Sequence, residues 1–230
     1  WIYTPSSSST SSNGKGGSGG EGTWTQVADG PSARGSHAMA PLSGGRVLMY
    51  GGVDDHDDHV NDLNDAYIYT PSSSSTSSNG KGGSAEKGTW TQVVDGPSAR
   101  CDHAMAGSGD GKVFLYGGQD EGDNSLNDVW MFHGGLTNHT WTQLQNSAMP
   151  KRDNHAMAVL TPPAATTSRH PQSATVVVFG GQVTFRTFPT GTQDEALSND
   201  VWTMPTGCPP GFHGPSCQLC SINQWKNTTT

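Results

Sequence analysis

Residues 103–143 decide the fold of this chain, because they contain four short motifs that recur elsewhere in it: His103-Ala-Met-Ala106, Lys112-Val-Phe-Leu-Tyr-Gly-Gly118, Asn127-Asp128-Val-Trp130 and Thr140-Trp-Thr-Gln143. An earlier copy runs from His37 to Gln92, and a later copy runs from His155 to Trp202 without the last motif. The Gly-Gly pairs begin at 51, 117 and 180, which gives spacings of 66 and 63 residues. Such self-similarity at a nearly fixed period predicts a repeat architecture.

Each motif has the pattern of a short strand or of its end. Val113-Phe-Leu-Tyr116 and its counterparts are continuous apolar runs, which favour strands buried on both faces. The following Gly-Gly pair permits positive φ and a sharp exit from a crowded strand. Thr140-Trp-Thr-Gln143 alternates apolar and polar residues, as a half-exposed outer strand does.

The order of these motifs resembles the kelch repeat, which implies four-stranded blades of a β-propeller around a channel. We therefore predict an all-β chain of kelch-type β-propeller blades over residues 1–205, with three full cores plus partial blades. Residues 2–18 repeat at 68–84, so the Ser- and Gly-rich stretches 5–22 and 71–88 are equivalent parts of the repeat. Each joins a third-strand motif to a fourth-strand motif. We interpret them as flexible linkers, with an O-glycosylated surface tuft as the alternative.

Polar and glycine residues recur at the same repeat positions. Because a catalytic site is assembled once and not in every blade, we expect these residues to be structural, with the histidines hydrogen-bonded to neighbouring backbone. An anionic ligand held by the three arginines at the channel mouth is the alternative. The structural repeat residues are Arg34, His37, Gly51, Gly52, Asp65, Trp90, Arg100, His103, Gly117, Gly118, Asp128, Trp141, Arg152, His155, Gly180, Gly181 and Asp200.

An acidic stretch after Gly51-Gly52 is a weak candidate for a metal site. It consists of Asp54, Asp55, His56, Asp57, Asp58 and His59. Carboxylates suit Ca²⁺ and imidazoles suit transition metals. The stretch lacks the spacing of a calcium loop, so we interpret it as a solvated acidic connection and predict no cofactor.

Four cysteines bear on the compartment. The segment Cys208-Pro-Pro-Gly-Phe-His-Gly-Pro-Ser-Cys217 resembles the closing loop of an EGF-like module, which implies a Cys208–Cys217 disulfide in a short segment over 206–230. A zinc half-site at Cys217 and Cys220 is the alternative. Asn138 and Asn227 begin N-glycosylation sequons. Together these features predict an extracellular or cell-surface protein.

Charge and hydropathy restrict the partners. The formal net charge is −8 with only 12 Lys and Arg, which argues against nucleic acid, and no apolar run is long enough to span a membrane. Because the chain begins inside a repeat, we expect either a piece of a longer protein or blades completed by other copies. We predict a non-enzymatic structural or adhesive protein whose partners are other protein chains, copies of itself, or glycans.

Two other functions remain open. One is a copper-radical-oxidase-like enzyme on a kelch propeller, which needs His, Tyr and Cys residues that converge on one metal. Cys101 is the only cysteine of the propeller region, and Tyr50 and Tyr116 lie in buried second strands, so the sequence shows no converging set. The other is an intracellular kelch adaptor.

Overall fold

The computed structural model describes residues 2–4, 22–26, 29–56, 59–72, 88–144, 149–160, 174–186 and 193–205. These ranges are all-β and contain no α-helix. No helix within them is long and apolar enough to cross a membrane. The predicted EGF-like segment and most of the two Ser/Gly-rich stretches lie outside the described residues.

Three antiparallel sheets repeat the same order of strands. Blade 1 contains β3 (Ala38–Pro41), β4 (Val47–Tyr50), β7 (Ala66–Thr70) and β8 (Thr89–Gln92). Blade 2 contains β9 (Ala104–Gly107), β10 (Lys112–Tyr116), β11 (Val129–Gly134) and β12 (His139–Leu144). Blade 3 contains β14 (Ala156–Leu160), β15 (Thr175–Phe179) and β18 (Val201–Pro205). An N-terminal hairpin of β1 (Ile2–Thr4) and β2 (Thr23–Thr25) precedes them.

The register of pairing is the same in each blade, which confirms that the sequence repeats are structural repeats. Leu115 of β10 lies opposite Met105 and Trp130. Met49 of β4 lies opposite Met39 and Tyr67 in the same manner. Both glycines of each Gly-Gly pair have positive φ, for example 63° and 96° at Gly117 and Gly118, as the sharp strand exit requires.

The connections between second and third strands gather at one end of the blades. In blade 1 the connection is a hairpin of β5 (Val53–His56) and β6 (His59–Asp62), with Gly35 bridged to Val53. In blade 3, β16 (Gln182–Arg186) pairs with both β13 (Arg152–Asp153) and β17 (Gln193–Leu197). In blade 2, Gln119 bridges Cys101 and Ser125. We call this end, formed by residues 34–37, 53–56, 59–62, 100–103, 119–127, 152–155, 182–186 and 193–197, the loop face.

The acidic stretch is therefore more ordered than the sequence indicated. Asp54 and Asp55 lie in β5 and His56 pairs with His59 of β6, so the predicted loop is a two-stranded hairpin. Its strand β5 is anchored because Val53 and Gly35 exchange backbone hydrogen bonds of 2.9 and 3.0 Å. Asp57 and Asp58 lie outside the described residues.

Two hydrophobic cores lie between the blades. The first joins Leu48 and Tyr50 of blade 1 to Val113, Leu115 and Phe132 of blade 2. The second joins the opposite side of blade 2 to blade 3, through Phe114, Tyr116, Val129, Met149, Val176, Val178, Trp202 and Met204. Since each fully buried apolar side chain contributes roughly 1.5–3 kcal/mol, stacking of the blades supplies much of the stability.

Candidate functional site

An arginine–aspartate pair joins each entry into a first strand to the start of the third strand of the same blade. In blade 2, Arg100 Nη1 and Nη2 donate to the two carboxylate oxygens of Asp128, at 2.7 and 2.8 Å. Arg100 Nη1 also donates to the carbonyl of Gly117 at 3.0 Å. The same contacts occur for Arg34 with Asp65 and Gly51, and for Arg152 with Asp200 and Gly180. The structure thus uses each arginine inside its blade and does not present it to an anionic ligand.

The arginine–aspartate pairs are largely shielded from water, which strengthens the attraction between the two charges. The Arg100 and Arg152 side chains are fully buried, whereas Asp128 and Asp200 keep partial access to water. Burial alone would raise the pKa of Asp200, but hydrogen bonds from Arg152, Ser198 and Trp202 outweigh it and lower the pKa to about 2. The pKa of Asp128 is likewise lowered, because the bonds and charge of Arg100 and a bond from Trp130 outweigh burial. The indole donors were not anticipated from the sequence, although both tryptophans follow the aspartate by two residues.

The repeat histidines connect neighbouring blades. The His103 ring packs edge-on against Tyr50 of the preceding blade at 5.2 Å, and His155 packs on Tyr116 at 5.0 Å. The ring nitrogens of His103 and His155 make no hydrogen bond of good geometry. The nearby backbone carbonyls of Tyr50 and Tyr116 still act to raise the pKa values of these two histidines. Burial, followed by the charge of the preceding arginine, lowers the pKa of His103 to about 3 and that of His155 to about 4. Both histidines are therefore neutral, and each packs on a tyrosine ring and lies near the backbone carbonyl of that tyrosine.

Carboxylates dominate the described side chains of the loop face. Glu121, Asp123 and Glu195 are exposed. Asp54, Asp62, Asp102 and Asp120 are half-buried. Asp120 Oδ1 accepts hydrogen bonds from the backbone of Gly122 and Asn124, at 2.9 and 3.0 Å, and these bonds lower its pKa despite partial burial. Lys151 is an exposed cation on the same side.

Cys101 and Asp62 lie side by side on this face, between blades 1 and 2. Cys101 is a free, half-buried thiol. Burial, with the nearby charges of Asp62 and Asp102, raises its pKa to about 12. Burial and the carboxylates of Glu121, Asp120 and Asp123 raise the pKa of Asp62, against a lowering contact from Cys101. The thiol is thus held in its protonated, weakly reactive form.

Comparison with known proteins agrees with this geometry. The Kelch motif matches residues 99–147, which cover blade 2 and its entry segment. The solved structure of YjhT matches with a TM-score of 0.52 at 11% identity, over 85% of this chain and 57% of that chain. The chain contains a Kelch motif and has the fold of β-propeller blades. It spans a little more than half of the YjhT chain, and at this identity the likeness shows the fold alone. No curated protein matches the sequence.

The kelch blades separate the residue types that an oxidase would bring together. Tyr50 Oη donates to the carbonyl of Ser98 at 2.9 Å and Tyr116 Oη donates to the carbonyl of Pro150, so both hydroxyls are used between blades. Cys101 lies beside carboxylates on the loop face. Within the described ranges, no group of three or more His, Cys, Asp or Glu side chains is arranged to hold a metal ion. Asp54, the described carboxylate at the start of the acidic stretch, accepts a hydrogen bond from Asn61 at 3.4 Å.

The opposite end of the kelch blades carries an open polar cavity of about 590 Å³. Arg46 crosses from blade 1 and donates to the Gly134 carbonyl of blade 2 at 2.9 Å. Asn138, a predicted glycosylation site, is exposed at the rim in the turn between β11 and β12. The predicted sites Cys208, Cys217 and Asn227 lie outside the described residues.

Proposed function

We propose that this kelch protein is a non-catalytic structural or adhesive protein of the extracellular space, which binds another protein through its acidic loop face. The kelch propeller fold supports protein–protein interaction as the broad class of function. The observation that carries the proposal is the loop face itself. Glu121, Asp123 and Glu195 are exposed there, on connections that the fold holds in place. A surface of this kind attracts a basic partner and speeds the encounter.

The distribution of the repeat residues supports a binding role over a catalytic one. The residue types most used in catalysis are committed to the blades: Arg100 to Asp128, and His103 and His155 to tyrosine rings of the preceding blades. Perturbed pKa values often mark active sites, but ion-pair networks perturb them too. Here the perturbed histidines His103 and His155 and the arginine-paired Asp128 and Asp200 recur from blade to blade, which is the pattern of a structural network, whereas Cys101 and Asp62 occur once.

An extracellular location is supported by two features. Asn138 is exposed in a tight turn, where an oligosaccharide can be attached without disturbing the strands. The Cys208–Cys217 segment has the cysteine and glycine spacing of an EGF-like closing loop, which belongs to an oxidising compartment.

Binding of the labelled chain to extracellular matrix from the source tissue tests the function. We expect saturable binding that weakens as salt is added. The double variant Glu121→Lys/Asp123→Lys should weaken it by about tenfold, whereas Asp110→Lys at the opposite end of blade 2 should not. Protease treatment of the matrix should abolish binding. Loss of binding after glycosidase treatment alone would instead identify a glycan ligand, and binding insensitive to both loop-face charges would refute the proposed surface.

The location and the absence of catalysis need their own measurements. Expression through a eukaryotic secretory pathway should give a glycan that the Asn138→Gln variant lacks, and a Cys208–Cys217 disulfide in peptide mapping. Fully reduced cysteines and an unmodified Asn138 in protein from its natural source would favour the intracellular adaptor. Stoichiometric copper together with turnover would establish the oxidase instead.

A further inference from the structure

Blade 3 has an apolar side that nothing covers among the described residues. The row Ala156–Phe179–Val201 crosses this side, and Phe179 and Val201 are 53% and 41% exposed. The equivalents of Phe179 in blades 1 and 2 are Tyr50 and Tyr116, which are 0% and 1% exposed because the next blade covers them. The second strand of blade 3 is as apolar as the second strands of blades 1 and 2. One of its faces is nevertheless not covered by any described residue.

Backbone groups at this side are open as well. The Gly52 amide donates to the Arg100 carbonyl at 2.9 Å, and the Gly118 amide donates to the Arg152 carbonyl at 3.0 Å. These bonds fasten blade 1 to blade 2 and blade 2 to blade 3. At the equivalent Gly181 of blade 3, the described residues supply no such carbonyl. A sheet side with both apolar area and unpaired backbone groups favours pairing with another chain.

The start of blade 1 has the groups that would complete these contacts. His37 occupies the repeat position of His103 and His155, but it is exposed and has no tyrosine ring beside it in the described part of the chain. Met39, the equivalent of the buried Met105, is 47% exposed. Blade 1 thus begins with the segment Arg34-Gly-Ser-His-Ala-Met-Ala40, of the same type as the segments that cover Tyr50 and Tyr116.

A series of inter-blade hydrogen bonds has matching open ends. The Asp102 amide donates to the Ser36 carbonyl at 3.1 Å, and the Asn154 amide donates to the Asp102 carbonyl at 2.9 Å. Ser36, Asp102 and Asn154 have positive φ values of 49°, 52° and 52°, so the same left-handed backbone conformation recurs in the three turns. The series begins at a Ser36 amide and ends at an Asn154 carbonyl, neither of which has a backbone partner among the described residues.

We propose that blade 1 of a second copy of this chain docks on the open side of blade 3, head to tail. In this contact His37 packs on Phe179 of the other copy, the Gly181 amide donates to the Arg34 carbonyl, and the Ser36 amide donates to the Asn154 carbonyl. Two copies joined in this manner at both ends place six blades in one ring, within the roughly 4–8 blades at which propellers close. The contact shares the turns 34–37 and 152–155 with the loop face but does not use its exposed carboxylates Glu121 and Asp123, and it does not depend on the partner proposed above.

The outer strands specify how the two copies fit. β18 is a third strand, and no described strand pairs with its outer edge. β2 has the fourth-strand sequence Thr23-Trp-Thr-Gln26, and its Trp24 is 65% exposed while Trp90 and Trp141 are half-buried. In the docked pair β2 of the second copy lies beside β18 as the fourth strand. The three-residue β1, which is also a third strand, is displaced.

Oligomeric mass tests the proposal directly. We expect the deglycosylated chain to have twice its 24.1 kDa mass in light scattering and sedimentation. Phe179→Asp should weaken association about 30-fold or more, as removal of a central apolar anchor does. Phe179→Tyr should associate as well as the parent, because tyrosine occupies this position in the other blades. Leu136→Asp is the matched control, since Leu136 is 88% exposed in the β11–β12 turn of blade 2 and lies outside the proposed contact.

Disulfide trapping establishes the direction of the contact. A Ser36→Cys chain mixed with an Asn154→Cys chain, both in a background without the four natural cysteines, should form a covalent pair. Each chain alone should not, because it carries only one of the two cysteines that the contact brings together. A monomeric parent chain, a dimer insensitive to Phe179→Asp, or cross-linking of the Ser36→Cys chain with itself would each overturn the proposal. Circular dichroism equal to that of the parent shows that a variant remains folded.

Discussion

Replacement of Arg100 by methionine tests the idea that the arginine–aspartate pairs hold each blade together. Arg100 donates five hydrogen bonds, two of them to the Asp128 carboxylate, one to Gly117 and two to Ser98. Its side chain is fully buried, and Asp128 is 22% exposed. Methionine fills much of the space of the aliphatic stem but supplies no donor.

The expected loss follows from what the substitution leaves behind. Removal of one partner of a buried ion pair costs roughly 3–5 kcal/mol, because the other charge remains without compensation. Asp128 keeps a hydrogen bond from Trp130 and some access to water, so the lower end applies. We therefore expect Arg100→Met to lower the free energy of unfolding by about 3 kcal/mol. Arg152→Met should cost a similar amount, since Arg152 is equally buried and paired with Asp200.

Urea unfolding of the purified chain measures the effect. The matched control is Lys112→Met in the same blade, whose pair with Asp110 is exposed on both sides, at 37% and 52%. Exposed pairs contribute less than about 1 kcal/mol, so the control should remain near the parent. Arg100→Met/Asp128→Leu should recover part of the loss, because two apolar groups replace the pair. Equal stability of Arg100→Met and Lys112→Met would refute the reasoning.

Three further predictions concern protonation and close backbone packing. Burial keeps the folded-state pKa of His103 at about 3 and that of His155 at about 4, so only the unfolded chain gains protons as pH falls below about 6.5. The free energy of unfolding should therefore drop by about 2 kcal/mol per histidine between pH 7 and pH 5, as measured by urea unfolding. The variant His103→Phe should reduce that drop. Because the pKa of Cys101 is raised to about 12, its alkylation in the native chain should be at least about 100-fold slower than in urea, as followed on the peptide 101–112 by mass spectrometry, and equal rates would contradict the buried thiol. Gly118 has φ +96°, and a Cβ there would lie 2.5 Å from the Cys101 carbonyl oxygen. Gly118→Ala should therefore lower the free energy of unfolding by at least about 2 kcal/mol. Gly109→Ala, with φ +81° and nothing within 4 Å of the added Cβ, should lower it by only about 1 kcal/mol.

The blade strands were predictable because their signals are local. The run Val113-Phe-Leu-Tyr116 with its Gly-Gly pair predicts a buried strand and its exit, and β10 (Lys112–Tyr116) has that position. The Thr-Trp-Thr-Gln motif predicts a half-exposed edge strand, and β8 is exposed at three of its four residues. Repetition in one register strengthens each local signal, since an accidental pattern would not recur.

The pairing of side chains was less predictable because it joins distant parts of the chain. Arg34 and Asp65 are 31 residues apart, and Arg152 and Asp200 are 48 apart, so no local spacing indicates the contact. Their joint recurrence in every repeat was the available signal. The hairpin of β5 and β6 was also missed, because its anchoring bond to Gly35 belongs to the tertiary fold and a polar stretch shows no apolar alternation.

Stacking of the blades determines where binding sites can lie. The sides of blades 1 and 2 that face each other are fixed by shared cores and by the histidine–tyrosine contacts, so a substitution there changes stability first. Among the described residues, the loop face, the opposite end and the outer sides of the blade array remain open to a partner. The two proposals rest on different side chains of this set, Glu121 and Asp123 of the loop face and Phe179 of blade 3. Glu121→Lys/Asp123→Lys should therefore leave the dimer mass unchanged, and Phe179→Asp should leave the salt dependence of matrix binding in place. A loss of both properties in either variant would show that the loop face forms only in the closed ring, which would make assembly a condition of binding.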